Sequence, residues 1–113
     1  MTIIKFNLDE EAFFKKHQKE QNIPRNDALK QIILKKIIKD FKINKTYHES
    51  EVNEIIKKYY EDFAYIRREF VNYRYMAKDS IKSTYTVIKQ ELTKGDYLKN
   101  SLLKKAAEEI KVL

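Results

Sequence analysis

The chain has 113 residues, 42% hydrophobic and 36% charged, with one Gly, one Pro, no Cys and a net charge of +7. The lack of Cys excludes disulfides, zinc ribbons and thiol nucleophiles, and one Gly leaves no material for a phosphate-cradling loop or the turns of a barrel. The composition predicts one mainly α domain over residues 1–113, and the excess of cations predicts attraction to a polyanion.

In chain order, the first segment is neutral: residues 1–24 hold four Lys against four acids. Met1 to Asn7 is too short and too soon charged for a secretory leader, and no apolar run nears the roughly 18 to 20 residues of a membrane span, so the expected location is the cytoplasm, with no membrane partner. Thr2 to Phe6 has the β-branched and aromatic content of a short strand. A helix over 9–21 follows, capped by Asn7 or Asp9, with Ala12, Phe13 and His17 on one face. Asn22-Ile23-Pro24 ends it, since Pro24 has no amide hydrogen and restricts the residue before it.

Residues 25–46 carry seven basic and two acidic side chains. Asn26 or Asp27 offers an N-cap, and Leu29, Ile32, Ile33, Ile37 and Phe41 fall on one helical stripe that Leu34 and Ile38 widen. Lys30, Lys35, Lys36 and Lys39 fill the remaining arc, as the solvated back of a core helix does. A loop at Ile43-Asn44-Lys45 and a minimal strand at Thr46-Tyr47 come next.

The most informative stretch is Tyr47-His48-Glu49-Ser50-Glu51-Val52-Asn53 with Asp62 to Val71. It predicts a helix, a turn of two or three residues and a second helix, the arrangement of a helix-turn-helix. His48 stands at the N-cap with Glu51 three residues on, as in a capping box. Val52, Ile55, Ile56 and Tyr59 form the buried face of the first helix, and its two Lys against five acids make residues 47–62 the acidic block of the chain. On the second helix Phe63, Ile66, Phe70 and Tyr73 make the core stripe at about 100° per residue. Arg67 lies at the core edge, where it is expected to pair with Glu51, Glu54 or Asp62. Arg68, Tyr65 and Asn72 project from the other side. Arg68 can fork onto a phosphate or a guanine edge, and Asn72 can address adenine.

Tyr75 to Lys78 and Ser83 to Ile88 flank the polar turn Asp79-Ser80-Ile81-Lys82 and predict a hairpin. A hairpin after a helix-turn-helix is the wing of a winged helix, and Lys78 and Lys82 near its tip suit backbone phosphates. Thr93-Lys94-Gly95 breaks the chain. Asp96 then caps a last helix with Leu98, Leu102, Ala106 and Ile110 (and Leu103 and Ala107) on an apolar face, which can pack on residues 9–21 or on a second copy in a homodimer.

No enzyme, cofactor or metal site is expected. His17 and His48 lack ligand partners at helical spacing, and Glu49 and Glu51 diverge by about 200° on a helix, so they make no acid–base pair.

The motif resembles a bacterial domain of unknown function, family 2087, whose members occur alone or attached to winged-helix repressors of the metal-sensor type. The pattern of that family is Tyr-Thr/Ser-Glu-x-Glu-Val-Asn, then Asp-x-x-x-Leu-Arg-Arg-x-Leu-Val-Asp and an aromatic hairpin ending in Tyr. Tyr47, Glu49, Glu51, Val52, Asn53, Asp62, Arg67, Arg68, Val71 and Tyr85 stand at its positions. His48, Ile66, Phe70 and Asn72 depart from it, and the wing turn lacks the usual Gly. The resemblance covers about residues 24–88 and implies a winged helix-turn-helix-like core, with residues 1–23 and the helix at 92–113 as extensions. The expected function is a winged-helix DNA-binding protein that regulates transcription. Tyr65, Arg68 and Asn72 would face the groove of double-stranded DNA, Lys78 and Lys82 its phosphates, with Lys35, Lys36 and Lys39 peripheral. The alternative is a protein-interaction module on the same scaffold, without nucleic-acid contact.

Overall fold

The computed structural model describes residues 2–113. Among them are six helices, α1 (Glu10–Glu20), α2 (Asp27–Ile38), α3 (Glu49–Lys57), α4 (Phe63–Asn72), α5 (Lys94–Lys99) and α6 (Ser101–Glu109), and three strands, β1 (Thr46–His48), β2 (Met76–Asp79) and β3 (Thr84–Val87). The fold is mainly α with a small antiparallel sheet of order β1-β3-β2. It divides into two compact units, one of the residues up to Ile33 with Glu91–Leu113, the other Leu34–Gln90, and the boundary falls inside α2.

In the first unit the start of the chain pairs with the residues that lead into α5. Ile3 bridges Thr93, and the Lys94 amide donates to the Thr2 carbonyl at 2.8 Å. The strand expected at residues 2–6 is reduced to that bridge, and α5 begins at the residue after Thr93. Asp9 caps α1 by accepting the Ala12 amide at 3.1 Å, and the helix ends where Gln21 turns left-handed at φ 55°. Phe14 is the buried residue of α1, which corrects the expected face: Ala12 is exposed, and Phe13 and His17 stack half-buried with ring centroids 4.2 Å apart. Asn26 caps α2 through the Ala28 and Leu29 amides (2.9 and 3.0 Å) and donates its own Nδ2 hydrogen to the Ala106 carbonyl at 3.0 Å.

The C-terminal segment forms two helices where one was expected. Thr93 and Asp96 cap α5 reciprocally, so Gly95 lies inside it, with no positive φ, and breaks nothing. Asn100, extended at φ −115° and ψ 109°, then interrupts the chain and caps α6. That residue resets the helical phase. Tyr97, Leu103, Ala106 and Ala107 are buried, whereas Leu98 and Leu102 of the expected stripe are 50% and 67% exposed.

In the second unit, Leu34, Ile37 and Ile38 of α2 are fully buried, and Phe41 is buried from the turn after the helix, since α2 stops at Ile38. Phe41 meets Tyr47 and Phe70 edge-on at 5.2 and 6.0 Å between ring centroids, and Phe70 meets Tyr75 at 5.8 Å. Edge-to-face packing of this kind adds to the burial of large apolar area. Val52 and Ile56 from α3 and Ile66 and Phe70 from α4 complete the core.

The route from α4 into the sheet depends on Arg74, which is left-handed at φ 66°. Its amide donates to the Val71 carbonyl at 3.1 Å, and the Tyr75 amide donates to Phe70 at 2.8 Å. This is a Schellman closure built without glycine, with the Tyr75–Phe70 contact as its hydrophobic seal. It aims β2 back along the sheet.

Candidate functional site

β1 runs directly into α3. His48 ends the strand and serves as the N-cap residue, and its amide donates to Glu51 Oε1 at 2.9 Å, as the capping-box spacing predicts. Tyr47 pairs across the sheet with Tyr85, and its buried hydroxyl accepts the Lys42 amide at 2.8 Å. Residues 58–62 connect α3 to α4, a longer turn than expected, because α3 stops at Lys57 and Tyr60 is buried within the connection. That burial pushes the Tyr60 hydroxyl pKa up to about 12. Asp62 caps α4 by accepting the Tyr65 amide at 3.2 Å.

Arg67 holds α4 to α3. Its Nη1 donates to Asn53 Oδ1 at 2.5 Å, and its Nε lies 3.6 Å from Glu49 Oε1, an ion-pair distance too long for a good hydrogen bond. The expected partners were Glu51, Glu54 or Asp62. All three are engaged elsewhere: Glu51 at the His48 amide, Glu54 with Lys57 at 3.2 Å, and Asp62 at the cap of α4. Glu49 in turn accepts the Tyr85 hydroxyl at 2.6 Å. That hydrogen bond, with the Arg67 and Lys78 cations, holds the Glu49 carboxyl below the usual carboxylate range. Burial, and then the bond to Glu49, pushes the Tyr85 hydroxyl up. One polar chain, Asn53–Arg67–Glu49–Tyr85, thus ties both helices to the hairpin.

Arg68 is exposed and makes no ion pair or hydrogen bond among the described residues. Asn72, one turn on, is also exposed, and Tyr65 is half-buried. Lys78 stands within β2 opposite Tyr85, with its ammonium 5.8 Å from that ring's centroid, and so is set back from the tip where it was expected. The tip carries Lys82. Asp79 Oδ1 accepts the Ile81 and Lys82 amides at 3.0 and 3.1 Å, and Ser83 at φ 52° takes the left-handed position that a Gly would favour. Ile81 on this turn is 97% exposed. On α2, Lys39 is exposed while Lys35 and Lys36 are half-buried with partners of their own.

Arg67, Arg68, Val71, Lys78 and Tyr85 line an open cleft of about 230 Å3 between α4 and the hairpin. The sequence pattern brought Arg68 and Lys78 to neighbouring elements, but it carried no signal that they share a cleft floored by Tyr85. Among the described residues no group of three His, Cys, Asp or Glu side chains suits a metal ion, and no helix is long and apolar enough to cross a membrane.

A family model described as an uncharacterized protein conserved in bacteria (DUF2087) matches residues 21–87, more than half of the chain, which therefore belongs to that family. No curated protein and no solved structure matches it.

Proposed function

We propose that this DUF2087 member is a cytoplasmic winged-helix DNA-binding protein that regulates transcription, with α4 as its recognition helix and the β2–β3 hairpin as its wing. The observation that carries the reading is Arg68, exposed on α4 with no carboxylate paired to it among the described residues. Of the acids that DNA would repel, Glu49, Glu54 and Glu61, the first is engaged with Tyr85 and Arg67 and the second with Lys57, while Glu61 is exposed. Asn72 and Tyr65 sit on the same side of α4 as Arg68 and serve base contact. Lys78 and Lys82 serve phosphates, which give affinity without sequence information. Fluorescence anisotropy with labelled duplex DNA at low salt tests the reading; no binding there removes it. Selection from random duplexes then yields the operator.

The competing reading, a protein-interaction module, draws on Ile81 at the wing tip, 97% exposed on a turn held by Asp79. A homodimer would use Leu98 and Leu102, and a monomeric mass by light scattering at high concentration excludes it.

A further inference from the structure

The geometry points to the cleft between α4 and the hairpin as a phosphate site, with Arg68 and Lys78 as its two clamps. The inference deepens the proposed function for one of its two sources of phosphate, the DNA backbone, and stands without it for the other, a free phosphorylated small molecule.

Three of the five lining residues are cations, Arg67, Arg68 and Lys78. Glu49, a carboxylate in contact with two of the lining residues, already accepts the Tyr85 hydroxyl at 2.6 Å and lies 3.6 Å from Arg67 Nε. It offsets one charge. Arg68 has no partner among the described residues, and the Lys78 ammonium has an aromatic face 5.8 Å away. Arg67 adds a buried Nε hydrogen with no hydrogen-bond acceptor among the described residues. Cations gathered on rigid elements, with fewer carboxylates than charges, recognise a tetrahedral polyanion through charge-assisted hydrogen bonds, and a guanidinium can bind it through two hydrogens at once. Val71 and Tyr85 supply an apolar wall beside the cations. The assignment divides the labour on α4: Arg68 holds a phosphate, and base contact passes to Asn72 and Tyr65.

The test is a titration of the isotope-labelled full chain with inorganic phosphate at constant ionic strength, following the arginine Nε–H resonances by NMR. Saturable shifts at Arg67 and Arg68 are expected. The affinity read at the Arg67 resonance should fall at least about tenfold in Arg68→Ala and in Lys78→Ala, and stay unchanged in Lys104→Ala, which removes an exposed charge elsewhere. Linear shifts equal to those given by chloride mean an adventitious ion only, and overturn the inference. So does saturation that both clamp variants retain. A duplex added to the phosphate-loaded protein separates the sources. Displacement of phosphate identifies the DNA backbone. Saturable phosphate with no duplex binding keeps the site, assigns it to a free phosphorylated molecule and removes the DNA reading. Duplex binding with no phosphate saturation removes the site and leaves the DNA reading intact.

Discussion

Tyr85, at the centre of the sheet, donates its hydroxyl hydrogen to Glu49 in the first turn of α3, 2.6 Å away. This bond joins the hairpin to the helix pair, and it sets an acid against two of the residues that line the cleft, Tyr85 and Arg67. Much of the stretch singled out in the sequence is spent on this joint: Asn53, Arg67, Glu49 and Tyr85 are linked in series, and Asp62 caps the helix that carries Arg67.

The joint makes stability depend on pH. The folded-state pKa of Glu49 is depressed by the Tyr85 hydroxyl and the Arg67 and Lys78 cations. Its contribution is therefore present above the unfolded carboxylate pKa and lost as pH falls through the folded one. Urea midpoints of the wild type and Glu49→Gln should differ at pH 7 and converge in the acid range. A constant difference would count against the charge as the cause.

Arg67→Ala should cost about 1–3 kcal/mol in urea unfolding, because Asn53 and Glu49 lose a partly buried charged partner. Arg67→Lys should recover only part of this, since one ammonium cannot serve both acceptors in the guanidinium's fork geometry. Full recovery would reduce the role to charge alone.

Arg68→Ala should leave stability within about 0.5 kcal/mol, as for an exposed residue without partners. In anisotropy it should weaken duplex binding by about 1–3 kcal/mol on every sequence tested, with a salt slope lower by about 1, as a phosphate contact does. Asn72→Ala should instead relax preference at one base pair. Loss of preference in Arg68→Ala would assign base reading to the arginine.

Arg74 holds a left-handed conformation at φ 66° that costs an L-residue about 1–2 kcal/mol and glycine almost nothing. Thermal unfolding of Arg74→Gly should occur at or above the wild-type temperature. Arg74→Val should unfold well below it, because a β-branched residue fits this region worst.

At Asn26 the oxygen caps α2 and the amide nitrogen donates to Ala106. Asn26→Ala should cost about 1–2 kcal/mol, whereas Asn26→Asp keeps the cap and loses only the bond to Ala106. Equal costs for the two variants would mean that the bond to α6 dominates.

The sequence by itself determined the local structure wherever one residue type has one cheap solution. The Glu51 box at His48, the break before Pro24, the core stripe of α4 and the exposure of Arg68 all follow from capping chemistry and helical period. Tertiary structure decided the rest, because it turned on which of several equivalent groups came within reach. Arg67 had several acids nearby in sequence and pairs with Asn53 and Glu49, while Glu51, Glu54 and Asp62 are engaged elsewhere. Arg74 and Ser83 entered left-handed turns that no glycine announced, since Tyr75 on Phe70 and the Asp79 oxygen offset the backbone cost. The cleft that sets Arg68 beside Lys78 is lined from both α4 and the hairpin, two elements joined through the left-handed Arg74.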